Sequence, residues 1–73
     1  MTTIERLVLM ANQIARNLEI GGEDVATVAM AQHIADFWDP RMKQLISAHV
    51  AAGGDGLTPI AKAAMERLAL PLE

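Results

Sequence analysis

Phe37-Trp38-Asp39-Pro40-Arg41-Met42 lies between two apolar runs and reads as a corner between helices. The Asp39 carboxylate is suited to accept from free backbone N–H groups, and Pro40 takes the first helical position, where its missing donor costs nothing. Downstream, Met42, Leu45, Ile46, His49 and Val50 fall on one helix face. Gly53-Gly54 then supplies the left-handed backbone of a helix end. Upstream, from about Asp24 to Phe37, the residues Ala26, Val28, Met30, Ala31, Ile34, Ala35 and Phe37 cover more than half of a wheel turning about 100° per residue. Only Gln32 and Asp36, with His33 at the edge, form a polar stripe. So wide an apolar arc predicts a helix covered on two sides, at the centre of the assembly.

Outward from this pair the pattern stays helical. From about Thr3 to Leu18, Ile4, Leu7, Val8, Ala11, Ile14, Ala15 and Leu18 repeat at i, i+3, i+4 and i+7. Glu5, Arg6, Asn12, Gln13, Arg16 and Asn17 take the opposite face, with Leu9 misplaced among them. Thr2 and Glu5 fit a capping box, and Gly21 is positioned to stop the helix. Thr58-Pro59 repeats the Asp39-Pro40 device, and Ile60, Ala61, Ala64, Met65 and Leu68 follow before Pro71 closes the last segment. No stretch alternates as a half-buried strand does. The expected fold is all-α: one domain over residues 1–73, a small bundle of three longer helices and one short helix. Its tight turns imply antiparallel or steeply crossed neighbours.

A chain of 73 residues, 52% hydrophobic and without cysteine, has a small core and no disulfide to staple it. Such a chain is expected to bury a face against a partner. The net charge of −3 excludes a large electropositive footprint for nucleic acid. No uncharged stretch is longer than Val25 to Ala35, which is too short to span a bilayer, and the N-terminus lacks signal-peptide features. A cytoplasmic protein is expected.

Enzyme signatures are missing. The single serine, Ser47, has no Gly-x-Ser-x-Gly around it, and the glycines at 53, 54 and 56 are not followed by Lys-Ser/Thr. His33, Asp36, Asp39 and His49 are a candidate metal set, but Asp39 is wanted as a cap and His49 lies in an apolar stripe one helix later. Fewer than three ligands converge. No catalytic, cofactor-binding or metal residue is expected. His49 is read as half-buried with one ring nitrogen on a backbone carbonyl, and His33 as paired with Asp36 or Asp39. A small helical enzyme would need clustered Arg or Lys beside a carboxylate, and only Arg67 interrupts an apolar arc.

The chain's two aromatic residues meet at the 37–42 corner. Phe37 is expected to plug it from inside. Trp38 and Arg41 suit either the corner or a partner contact, being the residue types that most often anchor interfaces. With His33, Asp39 and Met42 they make the candidate partner interface. A self-associating helical module, a homodimer with an unrelated regulatory role, is the alternative reading.

His33-Ile34-Ala35-Asp36-Phe37-Trp38-Asp39-Pro40-Arg41-Met42 resembles the signature of the delta subunit of NAD-dependent formate dehydrogenases. Met10-Ala11-Asn12-Gln13-Ile14-Ala15 is similar to that family's first helix, and Gly53-Gly54-Asp55-Gly56-Leu57-Thr58-Pro59 to its glycine-rich turn. The likeness runs from about Leu7 to Leu68. It implies a small accessory subunit that docks on the large subunits of a cytoplasmic complex, stabilising them or helping assembly or cofactor loading. It also implies that formate is oxidised elsewhere in that complex, at a molybdenum or tungsten pterin. Iron–sulfur clusters, FMN and NAD then take the electrons, all on partner subunits. An isolated chain could pair its docking face with itself.

Overall fold

The computed structural model describes residues 2–69 and shows four α-helices, with no strand among the described residues. Helix α1 spans Thr3–Leu18, α2 Glu23–Phe37, α3 Pro40–Ala51 and α4 Pro59–Ala69. The expected stop at Pro71 lies outside the described residues.

Each start follows from local chemistry. At α1 the Thr2 hydroxyl accepts from the Glu5 N–H at 3.2 Å, and the Thr2 N–H donates to Glu5 Oε1 at 2.8 Å. This reciprocal pair satisfies two donors that a helix start leaves free. It holds the Glu5 carboxyl below its ordinary pKa, the backbone hydrogen bond from Thr2 being the largest cause. At α3 Asp39 Oδ1 accepts from the Met42 N–H at 2.9 Å, with Pro40 at the first position. At α4 the Thr58 hydroxyl accepts, at a longer 3.4 Å, from the Ala61 N–H.

The ends differ in one respect from the sequence pattern. Gly21 does not stop α1. The chain tightens into a 3-10 turn, Glu19–Gly21, and Gly22 carries the positive φ of 100° that redirects it. Gly21 is the last residue of the tightened turn, so the reversal falls one residue later. At the end of α3 the Gly53 N–H donates to the Val50 carbonyl and the Gly54 N–H to the His49 carbonyl, a Schellman arrangement with both glycines at positive φ.

Leu7, Ala11 and Ala15 of α1, Met30, Ala31 and Ile34 of α2, Ile46 of α3, and Ala61, Ala64 and Met65 of α4 form the core. Helix α4 packs against the other three, most extensively against α2. Helices α2 and α3 make little contact with each other although only Trp38 and Asp39 join them. The short link therefore makes a steep corner rather than a hairpin.

Helix α2 is not covered on two sides. Ala26, Met30, Ala31 and Ile34 are buried, but Val25 stays 61% exposed and Val28 49% exposed. The four helices are enough to cover one side of it and no more.

Candidate functional site

The corner places its two aromatics in opposite directions. Phe37 is the last helical residue of α2 and is 74% exposed, so it does not plug the corner from inside. Trp38 is 5% exposed and joins the core. Its extended backbone, φ −85° and ψ 137°, breaks the helical direction and turns the indole inward. Trp38 is the plug and Phe37 the outward residue.

The other candidate interface residues separate in the same way. Met42 is half-buried against the core, Asp39 is committed to capping α3, and Arg41 is exposed. His33 is exposed and pairs with neither Asp36 nor Asp39. Its ring lies against Phe37, centroids 4.8 Å apart and planes tilted by 34°, while Asp36 accepts from the Gln32 amide at 2.9 Å. His33, Phe37 and Arg41 thus remain on the surface, with Trp38 holding the backbone beneath them. Lys43 fixes the corner further by donating to the Ala35 carbonyl at 2.9 Å, which satisfies an end group of α2.

Away from this corner, α2 leaves further apolar side chains uncovered on its outer side. Val25, Val28 and Ala29, with Asp24 and Gln32, line a broad shallow depression. A neighbouring trough joins Val28, Gln32 and Ala35 to Arg67 and Leu68 of α4. Ile20, in the 3-10 turn before α2, is 93% exposed. These exposures leave apolar side chains of α2 and the turn before it uncovered by the rest of the bundle.

The opposite side of the bundle is organised by hydrogen bonds. Asn12, placed by its spacing on the polar face of α1, reaches the loop between α3 and α4. Its amide donates to the Gly56 carbonyl at 2.9 Å and its oxygen accepts from the Thr58 N–H at 3.0 Å. His49 is half-buried and its Nε2 lies 2.7 Å from the Asp55 carbonyl, the backbone bond expected for it. A carbonyl only accepts, so Nε2 carries the hydrogen. Beside this loop a groove of about 590 Å³ runs between α1 and the start of α4, lined by Leu9, Asn12, Arg16, Glu19, Glu23 and Pro59. It contains no nucleophile–base pair.

Among the described residues no three His, Asp or Glu side chains converge as metal ligands. No helix among them is long and apolar enough to cross a membrane.

A family model described as NADH-dependant formate dehydrogenase delta subunit FdsD matches residues 6–65. The chain belongs to that family. No curated protein and no solved structure is significantly similar to it. The matched delta-subunit region takes in the Asn12-braced loop, the His33–Met42 corner and the whole outer face of α2.

Sequence reasoning missed Asn12 and the outward placement of Phe37, and left Trp38 open between core and partner contact. A signal for the first was present: the loop from Gly53 to Thr58 has turn residues whose backbone groups need partners, and an Asn offers both a donor and an acceptor.

Proposed function

We propose that this delta-subunit family member is a non-catalytic accessory subunit, docking on the large subunits of a cytoplasmic NAD-dependent formate dehydrogenase and stabilising them or assisting their assembly. The observation that carries the reading is the one-sided burial of α2: Met30 and Ile34 are fully buried while Val25, Val28 and Phe37 face outward. A helix with apolar side chains on both sides completes its burial on another polypeptide.

In this reading the redox groups belong to the partners: a molybdenum or tungsten pterin, iron–sulfur clusters, FMN and bound NAD. The chain has no cysteine and so no thiolate for an iron–sulfur cluster. Its contribution is surface, held in place by the Trp38 corner and the Asn12-braced loop.

Co-purification with tagged large subunits tests the proposal. The expected result is stoichiometric recovery of this chain, and deletion of its gene should lower the activity or metal content of the complex. A chain that never accompanies those subunits, and whose loss changes neither quantity, would show the reading to be wrong.

A further inference from the structure

The charge around the bare face of α2 narrows what can cover it. Between Arg16 and Arg41 the sequence contains no Lys or Arg but five carboxylates, Glu19, Glu23, Asp24, Asp36 and Asp39. Glu19 and Glu23 line the groove beside Arg16, and Asp39 caps α3. Asp24 and Asp36 remain, one at each end of the outer stripe. Twelve residues at 1.5 Å each place them about 18 Å apart. Between them lie Val25, Val28, Ala29 and Gln32, and His33 and Phe37 stand beside the Asp36 end.

We infer that this stripe receives an apolar ridge of a large formate dehydrogenase subunit flanked by two basic side chains about 18 Å apart. The inference rests on the accessory-subunit reading and adds the face used and the partner's charge. A second copy of the chain is the wrong occupant. In a two-fold pairing the same patch meets itself. Antiparallel α2 helices set Asp24 of one copy against Asp36 of the other, and parallel helices set like residue against like. Either arrangement brings carboxylate onto carboxylate. Arg67, on the α4 side, and Lys43, held on the Ala35 carbonyl, flank the stripe, but no Lys or Arg lines the depression between Asp24 and Gln32. A basic-flanked surface satisfies both ends at once, and complementary charge of this kind sets partner choice and encounter rate.

Three variants, each checked for native helicity, separate the possibilities: Val28→Glu on the stripe, the double change Asp24→Lys with Asp36→Lys, and Leu9→Glu on α1. Binding to purified large subunits is measured for each, and light scattering gives the mass of the isolated chain. Val28→Glu and the double change should each weaken binding by about tenfold or more, with Leu9→Glu binding as the parent does. Parent affinity should fall as salt rises, and the isolated chain should be a monomer. Normal binding by Val28→Glu, with the parent also bound, overturns the choice of face and leaves the accessory reading standing. Normal binding by the charge reversal alone overturns the basic partner. A dimer of the isolated chain that Val28→Glu dissolves assigns the stripe to a second copy and overturns the inference. Failure of the parent chain to bind overturns the accessory reading and this inference together.

Discussion

Two of the three connections of this bundle, Trp38-Asp39 and the loop from Ala52 to Thr58, are held by opposite means. The loop is held by polar contacts: both ends of the distant Asn12 amide and the nearby His49 ring bind its backbone. The corner is held by an apolar side chain, Trp38, with local help from Asp39 and Lys43. The loop turns its chemistry inward onto its own backbone. The corner turns one aromatic in and leaves the next one out. The corner thus leaves Phe37 and His33 on the surface while Trp38 is buried.

The sharpest way to break this contrast is to exchange the roles of the two aromatics. Trp38→Ala should cost about 3–5 kcal/mol, the usual range for emptying a large aromatic site in a core. For a domain this small that is enough to abolish a cooperative urea transition. Phe37→Ala should move the same transition by no more than about 0.5 kcal/mol, as exposed substitutions do. Its effect belongs in the binding assay instead. Equal destabilisation by the two variants would mean that Phe37 also packs in the folded chain, and the outward reading of the corner would fail.

The loop side gives the next largest effect. Asn12→Ala removes partners from the Gly56 carbonyl and the Thr58 N–H at once, and should cost about 1–3 kcal/mol. Both groups lie near the surface and water partly replaces the lost bonds, which places the effect toward the lower end. Asn12→Asp keeps an acceptor for Thr58 but loses the donor to Gly56. It should therefore protect the Thr58 amide from hydrogen exchange while restoring only part of the stability. Identical exchange at Thr58 in both variants would show that the loop holds its shape without Asn12.

How much of this was open to reading depended on whether a residue's partners are near it in sequence. The stripe from Ile4 to Leu18, the Thr2–Glu5 box and the Asp39-Pro40 start are local, and each lies where the pattern puts it. The carbonyl bond of His49 was also legible, since its acceptor is six residues away. Asn12 was not, because its loop partners are 44 and 46 residues distant and helical spacing assigns it only to a polar face. The outward turn of Phe37 escaped for a different reason. One extended residue at a helix end reverses the direction of a side chain, and composition is blind to where the helix gives way. The apolar breadth of α2 was plain, but breadth alone does not say which side the chain covers itself. That division depends on where α4 docks.

A smaller test compares the caps of the two helices that follow the connections. Asp39→Ala should cost about 1 kcal/mol, the typical value of a side-chain N-cap. Thr58→Ala should cost less, because its hydroxyl lies 3.4 Å from the Ala61 N–H, at the weak end of hydrogen-bond geometry. Thermal melts of the two variants rank them. A larger loss at Thr58 would mean that the loop relies on its own cap as well as on Asn12.

The start of α1 follows neither connection and so provides a reference for what a purely local cap contributes. The Glu5 carboxyl accepts from the Thr2 backbone N–H, and its pKa in the folded chain is lowered by that bond. A carboxylate with a lowered folded pKa adds stability that is complete above its unfolded value and is lost as the pH falls through the folded one. Protection of the first-turn amides, taken relative to the intrinsic exchange rate at each pH, should therefore fall as the medium is acidified below the ordinary glutamate range, while protection of the Thr58 amide, held by the neutral Asn12 side chain, should be unaffected over the same interval. Glu5→Gln keeps an acceptor in the box but has no proton to gain. It should abolish the acid dependence at the first turn and leave the rest of the exchange pattern as it was. Acid-dependent protection persisting in that variant would move the titrating group away from Glu5.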